Sequence, residues 1–150
     1  MKNPKMQRQS EMSTPQSITP YLYYEDVAGA MSFLAKAFGM RRYGRPMYDK
    51  GKVRHAAMTL ANGVVMMGHP GAKYKNPRRL GQATQCLLIH VDGVDQHFAQ
   101  AVRAGATILK PPEDQFFGRH GQRRYGASDL EGHEWYFAQA IIRREPRKWT

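Results

Sequence analysis

The alternation of apolar and polar positions divides the chain into two passes of one plan. Residues 1–17 are polar, rich in Met and Gln and without periodicity, and read as a disordered leader. Residues 18–24 are rich in β-branched and aromatic side chains and predict a strand. Asp26 follows at a helix N-cap position. Ala30, Phe33, Leu34, Ala37 and Phe38 recur at helical spacing, and Gly39 stops the helix. Residues 41–48, 53–61 and 64–69 predict three more strands. The last two meet at Asn62-Gly63, a hairpin signal because both residue types accept positive φ. A Gly/Pro/basic loop fills 70–82, long enough to suggest a linker or a functional loop.

The plan then restarts. Residues 85–91 predict a strand, and Asp92 is the next N-cap candidate. Val94, Phe98, Ala101 and Val102 form an apolar helical face that ends at Gly105. A short strand at 107–110 is closed by Pro111-Pro112, and 113–121 reads as irregular. Strands at 123–128 and 134–138 flank a turn at 129–132, and residues 143–150 form a charged tail. A shift of 66 residues lays Asp26 on Asp92, Leu22 on Leu88, Ala35 on Ala101 and Gly39 on Gly105. A shift of 69 lays Arg54 on Arg123 and Gly63 on Gly132. Matching element order, cap, stop glycine and hairpin glycine together mark an internal repeat. Each half reads β-α-β-β-β. One helix cannot cover both faces of a curved sheet, so two such units leave a concave surface of the kind that small-molecule sites prefer.

Composition narrows this picture. The chain has 150 residues, 41% of them hydrophobic, which suits one domain with its own core. No apolar run approaches the ~18 residues of a membrane span, and no signal peptide opens the sequence. Cys86 is the only cysteine, so an intrachain disulfide and a Cys-rich zinc site are excluded. These features point to a cytoplasmic protein. The formal charge of +11 is spread over both ends and the body, and it favours anionic partners. No Gly-rich phosphate loop follows a strand.

Several stretches carry a family resemblance. Thr19-Pro20-Tyr21-Leu22, Asp26 and Ala37-Phe38-Gly39 open the repeat. Gln122-Arg123-Arg124-Tyr125-Gly126 leads into Asp129-Leu130-Glu131-Gly132-His133-Glu134-Trp135 at its close. The closing stretch resembles the R-x-G … D-P-x-G-H-x-W ending of glyoxalase-like members of the vicinal oxygen chelate superfamily. That superfamily includes glyoxalase I, bleomycin-resistance proteins and extradiol dioxygenases. Leu130 stands where the proline is usual. The resemblance spans roughly residues 18–140. It implies an α+β domain over 18–142, with tandem βαβββ modules at about 18–69 and 83–140. They form a concave, partly open sheet with helices on its outer face, in a homodimer.

Members of this superfamily that use a metal place ligands on four strands. The resemblance carries those points onto Thr19, Ala57, Cys86 and Tyr136. None is His or Glu, and Ala57 has no donor atom, so the expectation is a protein without metal or other cofactor. His55 shares strand parity with Ala57, and His90 with Cys86. With Glu134, two residues from Tyr136, they are candidates to converge on the concavity as ligand contacts or acid–base groups. Of Arg123 and Arg124, one points inward as a fixed fork for an anion. Tyr21 and Tyr136 supply aromatic surface. Cys86 reads as a small buried hydrophobe and His133 as a turn-packing residue. His69, His97 and His120 read as surface residues.

The expected ligand-binding set is therefore Thr19, Tyr21, His55, Ala57, Cys86, His90, Arg124, Glu134 and Tyr136. The function it favours is metal-free binding of a small anionic or aromatic molecule. Bleomycin itself is cationic and opposes the charge of the chain. The alternative is a lyase, isomerase or dioxygenase with a metal site rearranged around His55, His90 and Glu134. Nucleic-acid or other polyanion binding through the basic loop and ends is the weakest reading, because no nucleic-acid motif supports it.

Overall fold

The computed structural model describes residues 16–145. The predicted leader lies outside the described residues except for Gln16 and Ser17. The last five residues of the charged tail lie outside them as well. The first module consists of β1 (Tyr21–Tyr23), α1 (Val27–Phe38), β2 (Arg41–Asp49), β3 (Lys52–Leu60) and β4 (Gly63–Gly68). A connector carrying the short helix α2 (Pro77–Leu80) leads to the second. There β5 (Cys86–His90), α3 (Val94–Arg103), β6 (Thr107–Phe117), β7 (His120–Ser128) and β8 (Glu134–Ile142) repeat the order. The two four-stranded sheets have matching orders, β1-β4-β3-β2 and β5-β8-β7-β6, and neither is closed. In each, the first strand is parallel to the last and the other pairings are antiparallel.

Both modules share one core. Leu22, Met58 and Met67 from the first sheet and Tyr125, Trp135 and Phe137 from the second are buried in one cluster with both helices. Phe38, the last residue of α1, is the hub. Its ring centroid lies 4.8 Å from that of Phe137 and 5.7 Å from that of Trp135. The helices are also joined by side chains: Gln100 Nε2 donates to the Lys36 carbonyl at 2.9 Å. His97 is wedged between the modules rather than lying on the surface. A carbonyl can only accept, so Nε2–H donates to the Phe38 carbonyl at 2.8 Å, and Nδ1 receives the Tyr125 hydroxyl. Burial lowers the pKa of His97, partly offset by the bond to the Phe38 carbonyl.

Local chemistry explains where boundaries match and where they move. Asp26 caps α1 by accepting from the Gly29 N–H, and Gly39 ends it at φ 71°, the left-handed conformation that glycine adopts most easily. Asp92 does not cap α3. Gly93 occupies that position without a side-chain bond, and Gln139 of β8 accepts from the Val94 N–H at 3.0 Å. A tertiary acceptor thus replaces the local cap. The β3–β4 turn is Ala61-Asn62, one residue earlier than Asn62-Gly63. Leu60 pairs with Gly63, and Ala61 takes the positive φ of 51°. Strand β1 is shorter than 18–24. Beyond its start, the Gln16 amide bonds both the N–H and the carbonyl of Val64, standing in for a strand.

The largest difference is β6. It does not stop at Pro111-Pro112 but continues to Phe117, where a hairpin closes it onto β7. Proline interrupts a central strand because it cannot donate to the ladder. β6 is the outermost strand of its sheet, and its register shifts between Lys110 and Glu113, so the prolines sit at an irregularity on an edge.

Candidate functional site

Strand alternation gives each sheet one face toward the core and one away from it. On the first sheet the outward face carries two cross-strand rows. Tyr21, Met66, Ala57 and Tyr43 form one, and Tyr23, Gly68, His55 and Met47 the next. His55 and Ala57 therefore share a face, as their parity predicted. The Tyr21 side chain leans across the row boundary over Gly68, and its hydroxyl meets His55 Nδ1 at 2.9 Å. A Cβ on Gly68 would fall 2.4 Å from the Tyr21 hydroxyl oxygen, so glycine is what permits this contact.

The aromatic surface continues sideways. The Tyr21 and Tyr23 ring centroids are 5.8 Å apart, edge to face, and Tyr23 meets Tyr74 of the connector at the same distance and in the same manner. Tyr21 and Tyr23 are about half exposed. Tyr74 fixes its end by donating to the Tyr23 carbonyl at 2.9 Å. Burial, with Glu131, Glu25 and Asp129 nearby, pushes its pKa up to about 12, so it stays a protonated donor. A groove of about 270 Å³ runs along this ledge, lined by Tyr21, Tyr23, Tyr74, Lys75, Leu80 and His133 among others.

The second sheet offers a different face. Its rows are Cys86, Glu134, Ser128; Leu88, Tyr136, Gly126; and His90, Ala138, Arg124. The Tyr136 ring lies over Gly126, where a Cβ would fall 2.5 Å from Cε1. The Arg124 guanidinium sits 5.9 Å from the Tyr136 ring centroid. Arg124 is thus the outward arginine, while Arg123 turns the other way to bond Asp95 and Asp114. Arg54, its repeat counterpart, pairs with Asp49. Cys86 is exposed rather than buried, because β5 is an edge strand and Cys86 faces away from the core. Thr19 precedes β1 and is half-buried.

The nine predicted residues do not form one cluster. Tyr21 joins His55, and Tyr136 joins Arg124. His90 lines an apolar groove of about 270 Å³ between the β3–β4 turn and β5, and Glu134 lines a cleft of about 370 Å³ beside Asp129. None of these three hollows is lined by two of His55, His90 and Glu134. The positions that the resemblance suggested for metal ligands hold a hydroxyl at Thr19, no donor at Ala57, a thiol at Cys86 and a phenol at Tyr136. Among the described residues no group of three or more His, Cys, Asp or Glu is placed to hold a metal. This donor set does not fit a divalent ion.

The closing sequence motif does other work, which the strand pattern did not reveal. Asp129, Glu131 and His133 are buried. Asp129 Oδ2 accepts from the Tyr24 hydroxyl at 2.6 Å and from Trp135 Nε1 at 3.0 Å. Its Oδ1 accepts from the backbone N–H groups of Glu131 and His133. Burial beside Asp129 raises the Tyr24 pKa well above its ordinary value, so Tyr24 remains a donor. Glu131 accepts from the Glu25 and Asp26 N–H groups and from Asn76 Nδ2. His133 Nε2 donates to the Tyr23 carbonyl at 2.7 Å. The second module's turn therefore grips the first module and its connector. The signal available in sequence was the pair of acids within the 129–132 turn, too few to distinguish from a solvated loop.

Comparison with known proteins agrees with this fold. The sequence profile described as Glyoxalase/Bleomycin resistance protein/Dioxygenase superfamily matches residues 16–137. The uncharacterized protein Mb0911c of Mycobacterium bovis is 34% identical over 131 residues, covering 83% of this chain and 84% of its own. The crystal structure of TioX from Micromonospora sp. ML1 superposes with a TM-score of 0.68 at 31% identity, over 83% of this chain and 98% of that one. A glyoxalase/bleomycin resistance protein/dioxygenase family enzyme from Burkholderia phytofirmans PsJN matches with a TM-score of 0.58 at 14% identity, over 81% and 95%, and shows the shared fold. No helix among the described residues is long and apolar enough to cross a membrane.

Proposed function

Because the chain belongs to the glyoxalase/bleomycin resistance protein/dioxygenase superfamily, we propose that it binds a small aromatic anion on the outward face of its first sheet, without a metal. The observation that carries this reading is the ledge of Tyr21 and Tyr23, each about half exposed, and the less exposed Tyr74, continuous with a groove. Aromatic rings pair with one another by offset stacking or edge contact, and the half-exposed Tyr21 and Tyr23 offer ring surface for such a pairing with a ligand. Lys75 in the groove, with the chain's excess of basic groups, favours a negative charge on that ligand. A second copy of the chain, as the superfamily resemblance suggests, would cover part of the exposed sheet faces.

The test is calorimetric titration with 2-naphthoate. The expected result is saturable binding, weakened at least tenfold by Tyr23→Ala. No binding, or binding indifferent to that substitution, overturns the reading. Elemental analysis of protein purified without a chelator tests the metal-independent part, and about one transition metal per chain would refute it. The enzymatic alternative has less support, because His55, His90 and Glu134 line no common hollow.

A further inference from the structure

Beside the proposed ledge, against Tyr21, stands a second side chain after Lys75 that can read the ligand's polar end. His55 projects from the middle of β3, flanked by Gly68 of β4 and Met47 of β2. Its Nδ1 is engaged by the Tyr21 hydroxyl at 2.9 Å, and the two rings are tilted at 35° with centroids 5.6 Å apart. Nε2 makes no hydrogen bond to the described residues, and no buried side-chain nitrogen or oxygen among them lacks a partner, so Nε2 reaches solvent. A neutral imidazole carries one proton, and the hydrogen bond at one nitrogen decides which nitrogen holds it. A phenol is the stronger donor and the bare imidazole nitrogen the stronger acceptor. In that arrangement Tyr21 donates to Nδ1 and the proton resides on Nε2.

From this we infer that Tyr21 and His55 act as a recognition pair, in which Tyr21 fixes His55 in the Nε2–H form. His55 then presents a single N–H donor, beside the aromatic ledge, to an oxygen acceptor on the ligand. The pair selects ring compounds bearing a carboxylate or similar oxyanion and disfavours those whose polar group can only donate. Gly68 is part of the device, because any side chain there displaces the Tyr21 hydroxyl. Tyr21 is the positioning residue and His55 the contact. This inference rests on the ledge being the binding face.

Two measurements test it. Nitrogen NMR of the ligand-free protein at pH 8 reads the His55 tautomer directly, with assignment by His55→Phe. The expected spectrum shows Nε2–H in the parent protein and a mixture of both tautomers in Tyr21→Phe. Titration with 2-naphthoate and with 2-naphthylmethylammonium then reads selectivity. His55→Phe is expected to weaken 2-naphthoate about tenfold, the scale of one hydrogen bond to a charged group. The ammonium compound should change by less than about twofold, on the same arithmetic. Equal weakening of both probes, or a tautomer unchanged in Tyr21→Phe, overturns the recognition pair while leaving the ledge intact. Absence of binding by both probes overturns the ledge itself, and the pair with it. Circular dichroism of each variant confirms that the comparison is between folded proteins.

Discussion

Removing the Asp129 carboxylate should be among the most damaging single changes in this chain. Asp129→Ala deprives four donors of their acceptor: the Tyr24 hydroxyl, Trp135 Nε1, and the N–H groups of Glu131 and His133. Tyr24 and Trp135 are fully buried, so water cannot replace the lost acceptor without opening the core. An orphaned buried donor costs about 1–3 kcal/mol, which puts the two side chains together at about 2–6 kcal/mol. That is a large share of the ~5–15 kcal/mol that holds a typical domain together. Asp129→Asn isolates part of the effect. The amide keeps one oxygen for the two backbone donors, but its NH2 replaces Oδ2. Tyr24 can rotate its hydroxyl to accept, whereas Trp135 Nε1–H is obliged to donate and meets another donor. The expected loss for Asp129→Asn is about 1–3 kcal/mol, the cost of a single unsatisfied group. Urea unfolding followed by Trp fluorescence gives both values. In an Asp129→Asn background, Trp135→Phe should cost less than it does alone, because the conflict has been removed. A loss below about 1 kcal/mol for Asp129→Ala would refute the claim that this carboxylate satisfies buried donors.

Three other outcomes follow from the same contacts. Glu131→Ala frees the Glu25 and Asp26 N–H groups and Asn76. Limited proteolysis should then cut within 70–85 much faster than in the parent, and an unchanged cleavage pattern would contradict the anchoring role. His97 has a lowered pKa in the folded state, so its contribution to stability is complete above the unfolded value of about 6.5 and is lost as pH falls through that value toward the folded one. Urea midpoints measured between pH 8 and pH 5 should fall in the parent and fall less in His97→Gln; parallel curves would argue against it. Gly126→Ala forces the Tyr136 ring off its seat, although the position has no positive φ to strain. A loss of about 1–3 kcal/mol is expected by the overpacking argument, and an unchanged melting temperature would show that the ring yields freely.

How much of this was legible in the sequence depends on the range of each interaction. The repeat, the α1 cap at Asp26 and its stop at Gly39 are local, and the structure places them as the spacing implied. Strand parity likewise put His55 on the face of Ala57, and it put Arg123 and Arg124 on opposite faces without telling which was which. The errors arose where a distant group decided the outcome. Asp92 lost its cap position because Gln139 reaches the Val94 N–H from β8. Pro111-Pro112 failed to end β6 because the strand lies at a sheet edge, which local sequence does not announce. Cys86 is exposed because β5 is also an edge. His97, Asp129, Glu131 and His133 draw their roles from partners 28 to 110 residues away. At the site, parity showed which side chains share a sheet face, but could not bring faces of separate sheets together.

The prolines of β6 also bear on how the chain behaves among its own copies. An eleven-residue strand ending in two phenylalanines, with Phe117 82% exposed, is the kind of border that recruits a stray strand and grows into a fibril. Pro111 and Pro112 interrupt that border. Neither has an N–H, so whichever of the two looks outward offers an incoming chain nothing to accept, and the irregular register beside them breaks the spacing a straight strand would need. What remains on either side is short: Thr107 to Lys110 before the gap, Glu113 to Phe117 after it. A charged pair, Glu113 and Asp114, opens the second stretch. The residues that looked like a stop signal for the strand act instead as a guard on its outer side.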